Sequence, residues 1–240
     1  MTFTTTRFGG KDTARNETLF TTGNGNLGFR GDTEEAAATV HKGTYINGFY
    51  DSEPIQYGET AYGYAKNHET ILNLPDPKRI ELGVDGKRFG LTGEDGGAVA
   101  AFRLELDEEA GLLRRLTDWR AGKSAVRVES CRLVSFCRPD CALIRYSVTN
   151  TSASLERIEL VSAVDVTAQN ILAEEDPRIG AKFRHKPLVI DAVSAAATGA
   201  EGAGEGLSAV AELPAAAGVL LSFDAHTAQS GLLLSGAVLN

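Results

Sequence analysis

The sequence predicts an all-β protein, a sandwich of antiparallel sheets. Apolar and polar residues alternate through much of the chain after residue 97, polar turns separate the alternating runs, and no stretch keeps a 3.6-residue apolar period. Phe102, Leu104 and Leu106 share one face, with Arg103, Glu105 and Asp107 on the other. Residues 125–137 read as a long strand, Pro139-Asp140 as a turn, and 141–150 as the antiparallel partner. In that partner Ile144, Tyr146 and Val148 oppose Arg145, Ser147 and Thr149. Asn150 to Ser154 is a second turn. Residues 155–166, with Ile158, Leu160, Val164 and Val166, complete a three-strand meander. The Ala- and Gly-rich stretch 192–218 reads as a loose connection or a strand pair with an open loop, and apolar strands fit at 217–224 and 230–239. The run Leu232-Leu233-Leu234 lies close to Asn240, which predicts a domain cut from a longer protein.

Composition narrows the function classes. A chain of 240 residues with 42% hydrophobic and 23% charged residues buries an ordinary core. A net charge of −8 argues against a nucleic-acid binder, and no apolar run reaches bilayer-spanning length. Residues 1–7 carry no apolar leader, so the expected location is cytoplasmic. Cys131, Cys137 and Cys141 match no zinc spacing and are expected as reduced cysteines in strands. The four histidines form no close pair, so no metal or cofactor site is expected.

Gly23-Asn24-Gly25-Asn26-Leu27-Gly28 has the G-x-G-x-x-G spacing of dinucleotide sites, but no helical run follows it; Asn-Gly here signals a tight turn instead. Three acidic groups, Glu34-Glu35, Glu108-Glu109 and Glu174-Glu175-Asp176, are where paired-carboxylate chemistry would be sought; each is expected to be solvated loop charge. The cluster Tyr45, Asn47, Phe49, Tyr50 and Asp51, followed by Tyr57, Tyr62 and Tyr64, can be read as core or as sugar-contacting surface.

Several stretches resemble glycoside hydrolase family 65. Asn16 to Gly31 is similar to its opening pattern E-S-L-F-x-x-G-N-G-x-L-G-x-R-G, and Glu34-Glu35 falls where that family has an acidic pair. Gly43 to Asp51 resembles G-T-Y-x-x-G-x-Y-D, and Leu72-Asn73-Leu74-Pro75 resembles L-V-N-L-P. Gly111 to Trp119 and Val126 to Ser135 resemble strands of the form L-x-R-x-x-x-W and R-V-x-x-x-R-x-x-S, with Glu175-Asp176-Pro177-Arg178 a looser match. The family includes maltose, trehalose, kojibiose and nigerose phosphorylases. The resemblance implies a β-supersandwich of the galactose-mutarotase-like type across residues 1–240, without the (α/α)6 barrel that carries the general acid and the phosphate site. It implies an inverting reaction in the parent enzyme with inorganic phosphate as co-substrate, no catalytic residue in this chain, and the barrel, a second copy and an α-glucoside as partners. Asn24, Asn26, Arg30, Tyr45, Asn47, Tyr50 and Asp51 are the positions expected to face the barrel or its substrate. Arg30 has a second reading, as a tie to a loop carboxylate or carbonyl. A self-sufficient carbohydrate-binding sandwich is the alternative.

Overall fold

The computed structural model describes residues 1–35, 39–55, 57–59, 62–93, 96–166, 186–197, 203–205, 219–227 and 233–239. The elements in chain order are β1 (Thr2–Thr5), α1 (Lys11–Leu19), β2 (Thr22–Gly23), β3 (Leu27–Phe29), β4 (Thr44–Ile46), β5 (Tyr50–Pro54), β6 (Asn67–Ile71), β7 (Asp76–Val84), β8 (Lys87–Arg88), β9 (Ala98–Asp107), β10 (Leu112–Ala121), β11 (Ser124–Val134), β12 (Ala142–Asn150), β13 (Ile158–Asp165), β14 (Leu188–Ala197), β15 (Ala203–Glu205), β16 (Val219–Thr227) and β17 (Leu233–Leu239). The fold is all-β and antiparallel, with one helix among the described residues. The chain divides into two compact units, residues 1–43 with 78–162, and residues 44–77 with 163–240.

The first unit is built on a five-stranded sheet in the order β1-β9-β10-β11-β12. The expected hairpin is present: β11 pairs β12 from Val126↔Asn150 to Val134↔Ala142. Period two places Phe102, Leu104, Leu113, Trp119, Val126 and Val128 on one buried face. That face meets Leu82, Val84 and Phe89 around the β7–β8 hairpin, where the Phe89 and Trp119 rings pack at a 49° tilt with centres 5.5 Å apart. The remainder packs Phe20 with Phe102, Leu104 and Leu113.

The predicted meander fails at its third strand. β13 joins β7 rather than β12. Asp85, with φ 50 at the Asp85-Gly86 turn of the β7–β8 hairpin, explains the diversion. Its carboxylate accepts the Glu156 and Arg157 amides at 3.0 and 2.8 Å, and its own amide donates to the Arg157 carbonyl at 2.9 Å. The chain is thereby turned onto the opposite sheet. Ile158 and Leu160, expected to be half-buried, are 37% and 53% exposed.

Helix α1 has no counterpart in the apolar pattern, because the residues it buries are Asn16 and Glu17. Glu17 replaces hydrophobic anchoring with hydrogen bonds, accepting the Val40 and His41 amides at 2.7 and 2.8 Å. Gly31 lies against this helix. A Cβ there would sit 2.8 Å from the Asn16 carbonyl oxygen and 2.8 Å from the Phe20 Cβ.

In the second unit β5 pairs β6, and β14, β15, β16 and β17 form a sheet in the order β15-β14-β16-β17. The strand-pair reading of the Ala/Gly-rich stretch holds for β14 and β15, paired from Ser194↔Glu205 to Ala196↔Ala203. Both C-terminal strands are present as β16 and β17. The core here is Phe49, Leu72, Leu74 and Leu188.

Candidate functional site

The first unit contains a buried ionic cluster that alternation builds directly. On β10, Arg115 and Thr117 lie in phase with Leu113 and Trp119; on β11, Arg132 lies in phase with Val128 and Val134; on β12, Tyr146 lies in phase with Val148. Two guanidiniums therefore stand on the apolar face, where a lone charge would be severely penalised. Their partners come from the turn at Glu34 and Glu35. Arg115 donates from one terminal nitrogen to Glu34 Oε2 at 3.0 Å and Glu35 Oε1 at 2.6 Å, and from the other to Thr117 Oγ1 at 3.1 Å. Arg132 donates to Glu34 Oε1 and the Asp32 carbonyl, both at 2.8 Å, and to the Arg30 carbonyl at 2.9 Å. The Tyr146 hydroxyl donates to Glu35 Oε1. Lys78 Nζ lies 3.5 Å from Asp32 Oδ2 and 5.0 Å from the centre of the Phe29 ring.

The expectation that Glu34 and Glu35 are solvated loop charges is wrong: they are 2% and 3% exposed. Adjacent acids on a strand would point to opposite faces, but these two sit in a turn, where both can reach Arg115. The missed signal was the phase of Arg115 and Arg132, since arginines in register with core residues require buried acids. Burial pushes the Glu34 carboxyl up, but Arg132 and then Arg115 outweigh it and bring it down to about 2. Burial, then the Glu35 carboxylate, pushes the Tyr146 phenol far above its ordinary range. A carboxyl clamped this low holds no proton at neutral pH, the opposite of what a general acid requires.

The Gly23–Gly28 motif forms a hairpin, as its turn reading requires: β2 pairs β3, and Gly25 has φ 90. Strand β3 follows where a nucleotide site would need a helix. Asn24 Oδ1 accepts the Asn26 and Leu27 amides at 2.9 and 2.8 Å, and Asn24 Nδ2 donates to the carbonyls of Ser135 and, at 2.9 Å, Pro139. Asn26 Nδ2 also reaches the Pro139 carbonyl, at 3.2 Å. Arg30 ties the His41 carbonyl at 3.2 Å and Thr18 Oγ1 at 2.9 Å. Replacing Asn24 with Ala is expected to cost about 2 kcal/mol and loosen the 135–141 connection. Thermal unfolding and faster alkylation of Cys137 and Cys141 would report both effects.

The other four candidate positions belong to the second unit. Tyr45 is half-buried in β4. Asn47 is exposed in a turn closed by Gly48 at φ 84, and its Oδ1 lies 3.4 Å from the Tyr50 hydroxyl, which is exposed as well. Asp51 is buried, its Oδ1 accepting the Ser52 amide at 3.1 Å. Among the other tyrosines, the Tyr57 and Tyr64 rings pack at a 44° tilt with centres 4.7 Å apart, and Tyr62 is wholly exposed. Phe49 alone of this cluster is in the core.

Glu108 and Glu109 are exposed as expected, Glu109 meeting the N-terminal ammonium at 3.3 Å. Glu174, Glu175 and Asp176 lie outside the described residues. Of the three cysteines only Cys131 lies in a strand; Cys137 and Cys141 are exposed in the β11–β12 connection. No cluster of metal-ligating side chains occurs among the described residues, and no helix among them is long and apolar enough to cross a membrane.

Comparison with known proteins follows the same lines. The chain is 37% identical over 179 residues to the α,α-trehalose phosphorylase of Thermoanaerobacter brockii, covering 72% of this chain and 23% of that protein. It is 34% identical over 173 residues to an uncharacterised glycosyl hydrolase of Mycobacterium tuberculosis, covering 71% and 21%, and 30% identical over 143 residues to the maltose phosphorylase of Bacillus subtilis, covering 59% and 18%. A solved structure described as a kojibiose phosphorylase from the human microbiome matches its fold with a TM-score of 0.61 at 14% identity, over all of this chain and 32% of that one. The chain thus spans less than a quarter of the length of these sequence relatives. The family described as glycosyl hydrolase family 65, N-terminal domain, matches residues 3–216, across both compact units, and the chain belongs to it.

Proposed function

We propose that this chain is the non-catalytic N-terminal domain of an inverting α-glucoside phosphorylase or hydrolase acting on disaccharides in the cytoplasm, and that it supports docking of the helical barrel and dimerisation. The observation that carries the reading is the state of the acids. Glu34 is held at about 2 by Arg132 and Arg115, and every buried carboxylate among the described residues has a partner. An inverting enzyme needs a carboxylic acid kept protonated beside the glycosidic oxygen and an open path for the nucleophile opposite; in this reading the barrel supplies both. Ile158 and Leu160, alternate and exposed residues on one face of β13, support a docking role, because an apolar patch marks a contact surface. Asn47 and Tyr50 are the exposed positions assigned to face the barrel or its substrate, with Tyr45 half-buried, Asp51 buried, and Asn24, Asn26 and Arg30 holding the other loop.

The test is the 240-residue chain with phosphate and maltose, trehalose, kojibiose or nigerose, assayed for glucose 1-phosphate and glucose. No turnover is expected, and mixing with a separately produced barrel should restore it. Turnover by the chain alone overturns the reading and makes Glu34 and Glu35 the first residues to replace. The exposed Tyr62 and Tyr64, with half-buried Tyr57 beside Tyr64, favour a second reading, a stand-alone carbohydrate-binding module. Saturable maltose binding that is lost in Tyr62→Ala would establish it.

A further inference from the structure

The solvent face of the five-stranded sheet holds a depression of about 460 Å³ whose origin can be read from strand register. Two adjacent rows of outward side chains cross four strands. The first is Glu105 on β9, Arg114 on β10, Cys131 on β11 and Arg145 on β12; the second is Arg103, Leu116, Glu129 and Ser147 on the same strands. Leu116, Cys131 and Ser147 are short and half-buried, while Arg103, Arg114, Glu129 and Arg145 are long and exposed around them. Tall walls around a low floor make a hollow on an otherwise pleated surface. Its width, four strands, is about 14 Å, and its volume suits a small ligand.

The charges select the ligand. Three guanidiniums face two carboxylates across the hollow. Arg103 binds Glu105 at 2.6 Å, and Arg114 lies 3.7 Å from Glu105 and 3.6 Å from Asp107. The Arg145 side chain makes no hydrogen bond or ion pair among the described residues, so its planar fork of donors is available to an anion. A bare anion would meet repulsion from Glu105 and Glu129, whereas those carboxylates and the Ser147 hydroxyl suit sugar hydroxyls. No aromatic ring lines the hollow to stack a base, and the chain's net charge of −8 disfavours a polyanion.

We propose that this hollow binds a phosphorylated sugar, its phosphate on Arg145 and Arg114 and its hydroxyls toward Glu129 and Ser147. The assignment rests on this face alone and does not depend on the activity of a parent enzyme. Titration calorimetry of the 240-residue chain with glucose 1-phosphate should give one saturable site, weakened about tenfold or more by Arg145→Ala and by added salt. Arg127→Ala, on the same face but outside the hollow and bound to Asp118 at 2.7 Å, should leave affinity unchanged. Glucose should not bind, and inorganic phosphate should bind more weakly than glucose 1-phosphate. The ligand should also slow alkylation of Cys131 on the floor without protecting Cys137 or Cys141. Unfolding curves for Arg145→Ala should overlay those of the parent, which separates lost binding from lost folding. Absence of saturable binding, equal affinity for glucose or inorganic phosphate, or binding indifferent to Arg145→Ala overturns the proposal.

Discussion

Arg115→Met is expected to lower the unfolding free energy of the first unit by about 3–5 kcal/mol, enough to unfold a marginal domain. Methionine matches the length of the arginine stem, so the change removes the charge more than the packing. What remains is Glu34 and Glu35, buried side by side, with Arg132 as the surviving guanidinium partner of Glu34 and Tyr146 as the neutral partner of Glu35. Two neighbouring carboxylates that have lost a shared cation cannot both stay ionised without water. Urea unfolding should show the drop, and a double-mutant cycle should locate its cause. In a Glu35→Gln background the same Arg115→Met change should cost less, because only Glu34 is then left charged. Equal costs in both backgrounds would sink the account and assign the effect to packing.

The same cluster predicts an acid limit. The Glu34 carboxyl lies at about 2 in the folded chain against an ordinary 4.5. Between those values the unfolded chain binds the extra proton, so stability rises with pH across the interval. The contribution, on the order of 3 kcal/mol, is fully present above about pH 5 and lost as the pH falls toward 2. Glu34→Gln should be less stable at neutral pH and should show a shallower slope through that acid window. The half-buried Asp85, Asp107 and Asp118 are also held low, Asp85 first by its bond from Ser124, Asp107 by the Ala110 amide and Asp118 by the bond from Arg127, but these act equally in both proteins.

What was legible in the sequence and what was not follow from the length scale of each signal. Period two is a local property, so the alternation of β9 and the β11–β12 pair could be read residue by residue. The departure of β13 depends on Asp85, 71 and 72 positions before the amides it captures, and no window around residues 150–158 contains that information. Helix α1 was hidden because its inward residues are polar: the apolar pattern reports burial only when burial is hydrophobic. Glu34 and Glu35 look like ordinary surface acids until Arg115 and Arg132 are seen to share the phase of the core. Both arginines stand in the strand patterns that resemble family 65, as the acids stand at its acidic pair. The patterns that identified the family are therefore, at these positions, the parts of one buried electrostatic lock, and their presence says more about folding than about catalysis.

Gly97→Ala is expected to be comparably damaging for a steric reason. Gly97 is buried against the indole of Trp119, and a Cβ added there would lie 2.1 Å from Cζ2, 2.4 Å from Cε2 and 2.7 Å from Nε1. No real contact is that short, so the ring or the strand must move. The ring has little freedom, being fully buried with Leu82, Val84, Phe89, Val126 and Val128. Overpacking of this kind typically costs about 1–3 kcal/mol, and a rigid aromatic neighbour places it at the upper end. Trp119 is the chain's single tryptophan, so its emission reports directly on the site: the parent should emit as a dry, blue-shifted indole, and Gly97→Ala should shift emission to the red at lower urea concentrations. The decisive comparison is Gly97→Ala in a Trp119→Leu background. Leucine opens a cavity where the indole lay, at a cost of a few kcal/mol, and the alanine methyl then has room. If the two changes together are no worse than Trp119→Leu alone, the collision explains the effect. If Gly97→Ala costs as much without the indole as with it, the glycine is required for its backbone instead.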